Sequence, residues 1–230
     1  MMISERIDRI RSRMDAAARS CGRDPASVKL VAVTKTVSVD AICEAMAAGV
    51  ALLGESYMQE AIPKLAVLAG QPVQWHFIGH LQSKKAKDAV KYFDLIHSVD
   101  SVKLAAALDQ AAAKIKKIQE ILIQVNAAGE TTKSGLDPDT AVGVIEEISR
   151  LSNIRIKGLM TLPPFFDEAP ERVRPYFAAL AALRDSIEAK KIPGVVMEEL
   201  SMGMTGDFET AIKEGATLVR IGTAIFGERA

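Results

Sequence analysis

Two stretches of this chain carry residue types whose spacing could do chemistry together, and they lie near opposite ends of it. The first is "LVAVTK" (30–35), in which Leu30 to Thr34 read as a buried strand of β-branched and small apolar residues that runs into Lys35. An amine at a strand end can pair with a carboxylate, bind a phosphate or attack a carbonyl to form a Schiff base. The last use needs a neutral amine. Because lysine titrates at about 10.4, it also needs a site that desolvates the ammonium. A lysine whose stem lies along apolar surface with its head in water would account for this stretch alone.

The second stretch is "SMGMTGDFETAIKEGATLVRIGTAIFG" (201–227). It places Ser201, Gly203, Thr205 and Gly206 just before a short helical pattern, and Arg220, Gly222 and Thr223 at the end of a strand pattern. Glycines let backbone approach an anion, whose oxygens then accept from exposed N–H groups and from Ser or Thr hydroxyls. Either turn alone is ordinary loop chemistry. Together they read as a phosphate cradle, and a lysine across from a phosphate cradle points to pyridoxal 5′-phosphate (PLP) as cofactor.

Positioning both stretches requires a particular architecture. Strand patterns fall at 30–35, 50–55, 75–80, 94–100, 121–126, 155–162, 197–204 and 217–227, with helical patterns at 38–48, 56–69, 83–91, 101–115, 138–151, 171–190 and 206–214. Eight strand–helix alternations in this length predict parallel strands, right-handed crossovers and a single α/β barrel of the (β/α)8 TIM type. The opening segment, with Ile3, Ile7, Ile10 and Met14 at helical spacing, is expected as an extra N-terminal helix packed on that barrel. No linker or low-complexity tract interrupts residues 1–230, so one domain is expected. In such barrels the chemistry sits at the C-terminal ends of the strands. Lys35, Glu55, Ser56, His80, Gln82, Asn126, Met160, Ser201 and Arg220 all fall there.

Composition excludes several functions. With 29 basic and 29 acidic residues among 230, the chain has zero formal charge and lacks the electrostatic footprint of a nucleic-acid or anionic-membrane binder. Its start is a charged amphipathic pattern rather than a signal peptide, and no apolar run approaches the roughly 18 residues of a membrane span, so a cytoplasmic protein is expected. Cys21 and Cys43 form no CxxC and read as reduced thiols. His76 and His80 have HxxxH spacing, but one falls within a strand and the other after it, so no metal site is expected. His97 reads as packing, Glu60 as a solvated helix face, and Lys133 as a loop charge near the mouth.

The motifs "VAVTK", "GESYMQE", "WHFIGHLQSKK", "QVNAAGETTKSG", "GLMTL", "LSMGMTGDFETAI" and "VRIGTAIFG", in this order from Val31 to Gly227, resemble the pyridoxal phosphate homeostasis protein family. The resemblance implies a barrel like the N-terminal domain of alanine racemase that holds PLP as a Schiff base on Lys35. It also implies phosphate contacts at Ser201, Gly222 and Thr223, and Arg220 facing the pyridine nitrogen. With the other mouth positions, the cofactor-binding set expected is Lys35, Ser56, Asn126, Met160, Ser201, Met204, Arg220, Gly222 and Thr223. Three positions depart from the family pattern. Ser56 stands where the family has the Asn of "GENY", and His80 and Lys84 fall within its "GPLQSNK".

The expected function is a PLP carrier and regulator that serves intracellular PLP homeostasis, with PLP and apo PLP-dependent enzymes as its partners, and a monomer. The alternative is an amino-acid racemase on the same barrel. That chemistry needs a second base opposite the lysine, which in the racemases comes from a partner's extra β-domain, expected to be absent here. Of Tyr57, Tyr92 and Tyr176, only Tyr57 follows a mouth-side strand end. A third reading drops PLP and makes Lys35 the Schiff-base lysine of an aldolase-type barrel enzyme.

Overall fold

The computed structural model describes every residue except 130–133, 165, 167–169 and 229–230. Its strands are β1 (Lys29–Val33), β2 (Leu52–Glu55), β3 (Gln74–Phe77), β4 (Leu95–Val99), β5 (Gln119–Gln124), β6 (Ile154–Met160), β7 (Val195–Ser201) and β8 (Leu218–Ile221). They are parallel and close in sequence order, with β8 returning to β1 through the pairs Lys29↔Leu218 and Ala32↔Ile221. The helices are α1 (Ile3–Ser20), α2 (Val39–Ala47), α3 (Met58–Val67), α4 (Ala86–Tyr92), α5 (Val102–Lys114), α6 (Pro138–Ile148), α7 (Arg174–Ala189), α8 (Phe208–Lys213) and α9 (Thr223–Phe226). The expected (β/α)8 barrel is therefore the fold.

Three of the crossover helices, α2, α5 and α6, start with local chemistry that the sequence carries. Ser38 and Ser101 accept at 3.3 Å from Ala41 N and Leu104 N, and Asp137 accepts from Asp139 N at 2.8 Å with Pro138 opening the helix. α1 buries Ile7, Ile10, Met14, Ala17 and Ala18 against α2, α8 and α9. It is tied from its middle by Arg11 to Ala48 O and Gly49 O, both 2.8 Å, and by Arg13 to Glu209.

The strands are buried on both faces, so their side chains sort by parity into two cores. Ile96, Trp75, Phe77, Leu53 and Ala32 join the layer between strands and helices, whereas Val31, Leu95, Leu122, Met160 and Leu218 form a separate cluster in the barrel lumen. Residues in step with that second set are committed to the lumen. They include His97 after Leu95, Arg220 after Leu218, and His76 between Trp75 and Phe77.

Strand limits depart from expectation mostly by one to three residues. The larger correction is at 217–227, expected as one strand. β8 stops at Ile221, Gly222 turns the backbone to φ −119°, ψ −73°, and Thr223–Phe226 form α9. Hydrophobic content alone cannot separate a buried strand from a buried helical turn.

Candidate functional site

Lys35 lies two residues beyond β1, in a turn rather than in the strand, and is half-buried at the C-terminal mouth. Its backbone is held from three elements. Thr34 N continues the ladder to Gly54 O at 2.9 Å, and the Thr34 hydroxyl donates to Glu55 Oε1 at 2.7 Å. Lys64 of α3 donates from Nζ to both Glu55 Oε1 at 2.9 Å and Thr34 O at 2.7 Å. Thr36 follows in the left-handed region at φ +62°, a conformation that costs a β-branched residue of order 1 kcal/mol or more. Its N–H is secured by Glu60 Oε2 at 2.9 Å, so Glu60 anchors the lysine's turn instead of lying on a solvated helix face.

The β7 and β8 loops meet beside this turn. Gly203 has φ +91°, and a Cβ there would lie 2.6 Å from Ala211 Cβ, so only glycine fits. Gly203 O accepts from Arg220 N at 3.0 Å, and Met204 N donates to Asp207 Oδ1 at 2.6 Å. Burial raises the Asp207 carboxyl against the opposing pull of Met204 N–H and Arg220. Gly222 faces β1: a Cβ would sit 3.3 Å from Val33 Cβ and 3.4 Å from Val33 O. Gly222 and the end of β1, two residues before Lys35, are thus in close contact.

Arg220 rises from β8 inside the lumen, 3% exposed. Its Nη2 donates to Thr161 O at 2.9 Å and its Nη1 donates to Ser201 Oγ. Among the described residues no carboxylate forms an ion pair with it, and desolvation lowers its pKa to about 10, partly countered by Asp207. Ser201 is fully buried, and its hydroxyl also meets His97 Nδ1 at 2.9 Å. Ser201, expected as a phosphate contact, thus has its hydroxyl between the Arg220 guanidinium and the His97 ring. Thr205, in the same loop, is half-buried.

The remaining expected residues are placed as follows. Ser56 and Asn126 are half-buried immediately beyond β2 and two residues beyond β5, while Met160 is buried in the lumen. Met204 is half-buried in the β7 loop, whereas Met202 points into the strand–helix core. Thr223 opens α9. His80 is exposed, with Nδ1 3.3 Å from Ser134 Oγ, and does not converge with the buried His76. No three His, Cys, Asp or Glu side chains among the described residues could hold a metal. Lys133 lies outside the described residues.

Two features were missed from the sequence. Lys64 lies on a helix with no motif to mark it. His97, read as packing, instead bonds Ser201, and its Nε2 meets His76 Nδ1 at 3.0 Å. Strand parity carried that signal, since His76 and His97 each alternate with residues of the outer core.

A closed parallel barrel with an extra first helix, a lysine just past β1 and an arginine within β8 defines a class. The chain matches the family described as "Alanine racemase, N-terminal domain" over residues 6–230. An alanine racemase of Clostridium difficile 630 superimposes with a TM-score of 0.74 at 15% identity, over 96% of this chain and 56% of that one, a likeness of fold alone. Nearer relatives narrow the class. The chain is 42% identical to the pyridoxal phosphate homeostasis protein of Aquifex aeolicus, covering 100% of this chain and 99% of that protein. It is 37% identical to that of Escherichia coli K12, with 99% and 97% covered. PipY of Synechococcus elongatus PCC7942, solved with PLP bound, is 36% identical with a TM-score of 0.85, over 98% of this chain and 100% of that one. This chain belongs to the pyridoxal phosphate homeostasis protein family.

Proposed function

We propose that this chain binds PLP at the C-terminal mouth of its barrel, holds it on Lys35 and serves PLP homeostasis by buffering the cofactor and passing it to apo-enzymes. The observation that carries the reading is the contact between Gly222 and Val33, which sets a side-chain-free backbone loop against the end of β1, two residues before Lys35. The donor set fits the cofactor: one amine for an aldehyde, one buried guanidinium for a ring acceptor, and glycine loops with Thr205 and Thr223 hydroxyls for a phosphate. PLP supplies the aldehyde that condenses with an amine and a ring that can accept electrons.

The protein's own groups favour holding over conversion. Arg220 is a permanent donor and cannot accept a hydrogen bond, so it leaves a facing pyridine nitrogen unprotonated and the ring a weaker electron sink. Tyr57, the one tyrosine that follows a mouth-side strand end and so the only substitute the racemase alternative offered, is 55% exposed at the start of α3. The naming of relatives over nearly their full length as homeostasis proteins agrees with a role outside catalysis.

The test is borohydride reduction of the PLP-treated protein followed by peptide mapping. A pyridoxyl group should appear on the Lys35 peptide and be lost in Lys35→Ala. Labelling confined to Lys84 or Lys133 would overturn the assignment.

A further inference from the structure

Arg220 is a buried guanidinium whose bonded acceptors are neutral, and what lies behind those acceptors decides how firmly it is held. Ser201 Oγ, His97 and His76 form a continuous line down the lumen: Arg220 Nη1 to Ser201 Oγ, then 2.9 Å to His97 Nδ1, then 3.0 Å from His97 Nε2 to His76 Nδ1. The two imidazole centroids are 5.0 Å apart, and exposures along the line are 3%, 0%, 0% and 3%. His76 ends it at a cavity of about 460 Å3 at the opposite, N-terminal end of the barrel, beside Lys29 and Glu199.

The direction of this line follows from its first member. Arginine only donates, so Ser201 Oγ accepts. The serine's own proton then needs an acceptor, and the other partner of its hydroxyl is His97 Nδ1. His97 is therefore unprotonated at Nδ1 and carries its proton on Nε2, which donates to His76 Nδ1. His76 in turn carries its proton on Nε2. The opposite polarity would bury the Ser201 hydroxyl proton without an acceptor, at a cost of about 1–3 kcal/mol. Doubly protonated rings are disfavoured by burial, which depresses both histidines, helped at His76 by Lys29 and at His97 by His76 and then Arg220. A donor that itself receives a hydrogen bond is polarised, and so is each acceptor that donates onward.

We infer that His97 and His76 are positioning residues: a one-way hydrogen-bond relay along the barrel axis that makes Ser201 a stronger acceptor and so holds the Arg220 guanidinium fixed toward the cofactor end. The inference deepens the PLP reading of the mouth and rests on it for the ligand that Arg220 meets. It carries no proton to that ligand, because Arg220 has none to exchange at physiological pH.

The relay's polarity is testable without cofactor. In the 15N NMR spectrum of the apo protein at pH 7.5, the side-chain nitrogens of His76 and His97 should both report an unprotonated Nδ1 and a protonated Nε2. A protonated Nδ1 on either ring would overturn the inference. PLP titration tests the positioning. Ser201→Ala, which removes the charge-assisted bond of Arg220, should weaken PLP binding by about tenfold, and His97→Phe, which keeps a ring but takes away the acceptor behind Ser201, should weaken it in the same direction. His97→Gln, whose amide can accept from Ser201 and donate to His76, should recover most of that loss, which a purely space-filling role would not predict. Equal affinity for wild type, His97→Phe and Ser201→Ala would reject the relay as a positioning device. If wild type itself binds no PLP, the reading of the mouth falls and the tautomers alone decide the relay.

Discussion

Gly222 shows how one missing side chain shapes the site. Its φ of −119° is open to any residue, so the constraint is contact and not backbone strain: a Cβ would press on Val33 Cβ at 3.3 Å and Val33 O at 3.4 Å. A branched side chain must displace either β8's loop or the end of β1, which leads into Lys35. Gly222→Val should therefore weaken PLP binding by at least about tenfold while leaving the far-UV circular dichroism of the barrel unchanged. An unaltered dissociation constant would remove Gly222 from the cradle. Thr36 poses the converse case, a residue held at φ +62° where glycine would be relaxed. Thr36→Gly should cost little in stability, because relief of that strain offsets the added freedom of the unfolded chain. A loss of more than about 2 kcal/mol in a urea melt would place the threonine's value in its side chain.

At the scale of elements, β1, β2 and α3 are joined by a buried charge pair. The Lys64 side chain is 11% exposed and that of Glu55 is 0%, with Glu55 Oε2 unpartnered among the described residues. Their attraction must offset the desolvation of both, so such a pair adds little net stability when intact but is costly to break. Lys64→Met should destabilise the protein by about 3 kcal/mol, and Lys64→Met combined with Glu55→Gln should recover part of it. A single variant as stable as wild type in chemical denaturation would show that the carboxylate reaches water. The same clamp sets the turn at Thr34–Thr36, so the single variant should also weaken PLP binding.

The molecule as a whole contains two histidines buried neutral, and this sets a pH dependence. Burial lowers His76 from 6.5 to about 4 and His97 well below 6.5, so the unfolded chain takes up their protons first as pH falls. Stability is then full above pH 6.5 and declines toward pH 4, by about 2 kcal/mol for His76 between pH 7 and 5, with His97 adding in the same direction. Asp207, whose carboxyl is raised by burial, works in the opposite sense and offsets part of the slope. Urea midpoints at pH 7 and 5 check this, and His97→Gln should remove one histidine's share. A flat wild-type profile would contradict neutral burial. The carrier reading also belongs to this scale. Incubated with L-alanine in deuterated water, the PLP-loaded protein should exchange the Cα proton and form D-alanine far below ordinary turnover of ~1–10³ s⁻¹. Racemisation at such rates would overturn that reading and make Tyr57 the residue to mutate.

The barrel, its strand order and the mouth position of Lys35 were legible in the sequence because they depend on local patterning: apolar runs of strand length, capped helical periods, and a polar residue at each strand end. The paired motifs "SMGM" and "RIGTAIFG" carried the cofactor class for the same reason, since a glycine beside a hydroxyl is a local device. What only the tertiary structure decided is which distant groups share the lumen. Ser201 and His97 are 104 positions apart, and His97 and His76 are 21 apart. Strand parity told that each points inward, but barrel closure and stagger determine which inward side chains meet at the same height. Lys64 reaches Glu55 for a similar reason, because the path of α3 across β1 and β2 is a matter of packing. Periodicity specifies the face on which a side chain lies; the depth at which it finds a partner is a property of the closed barrel.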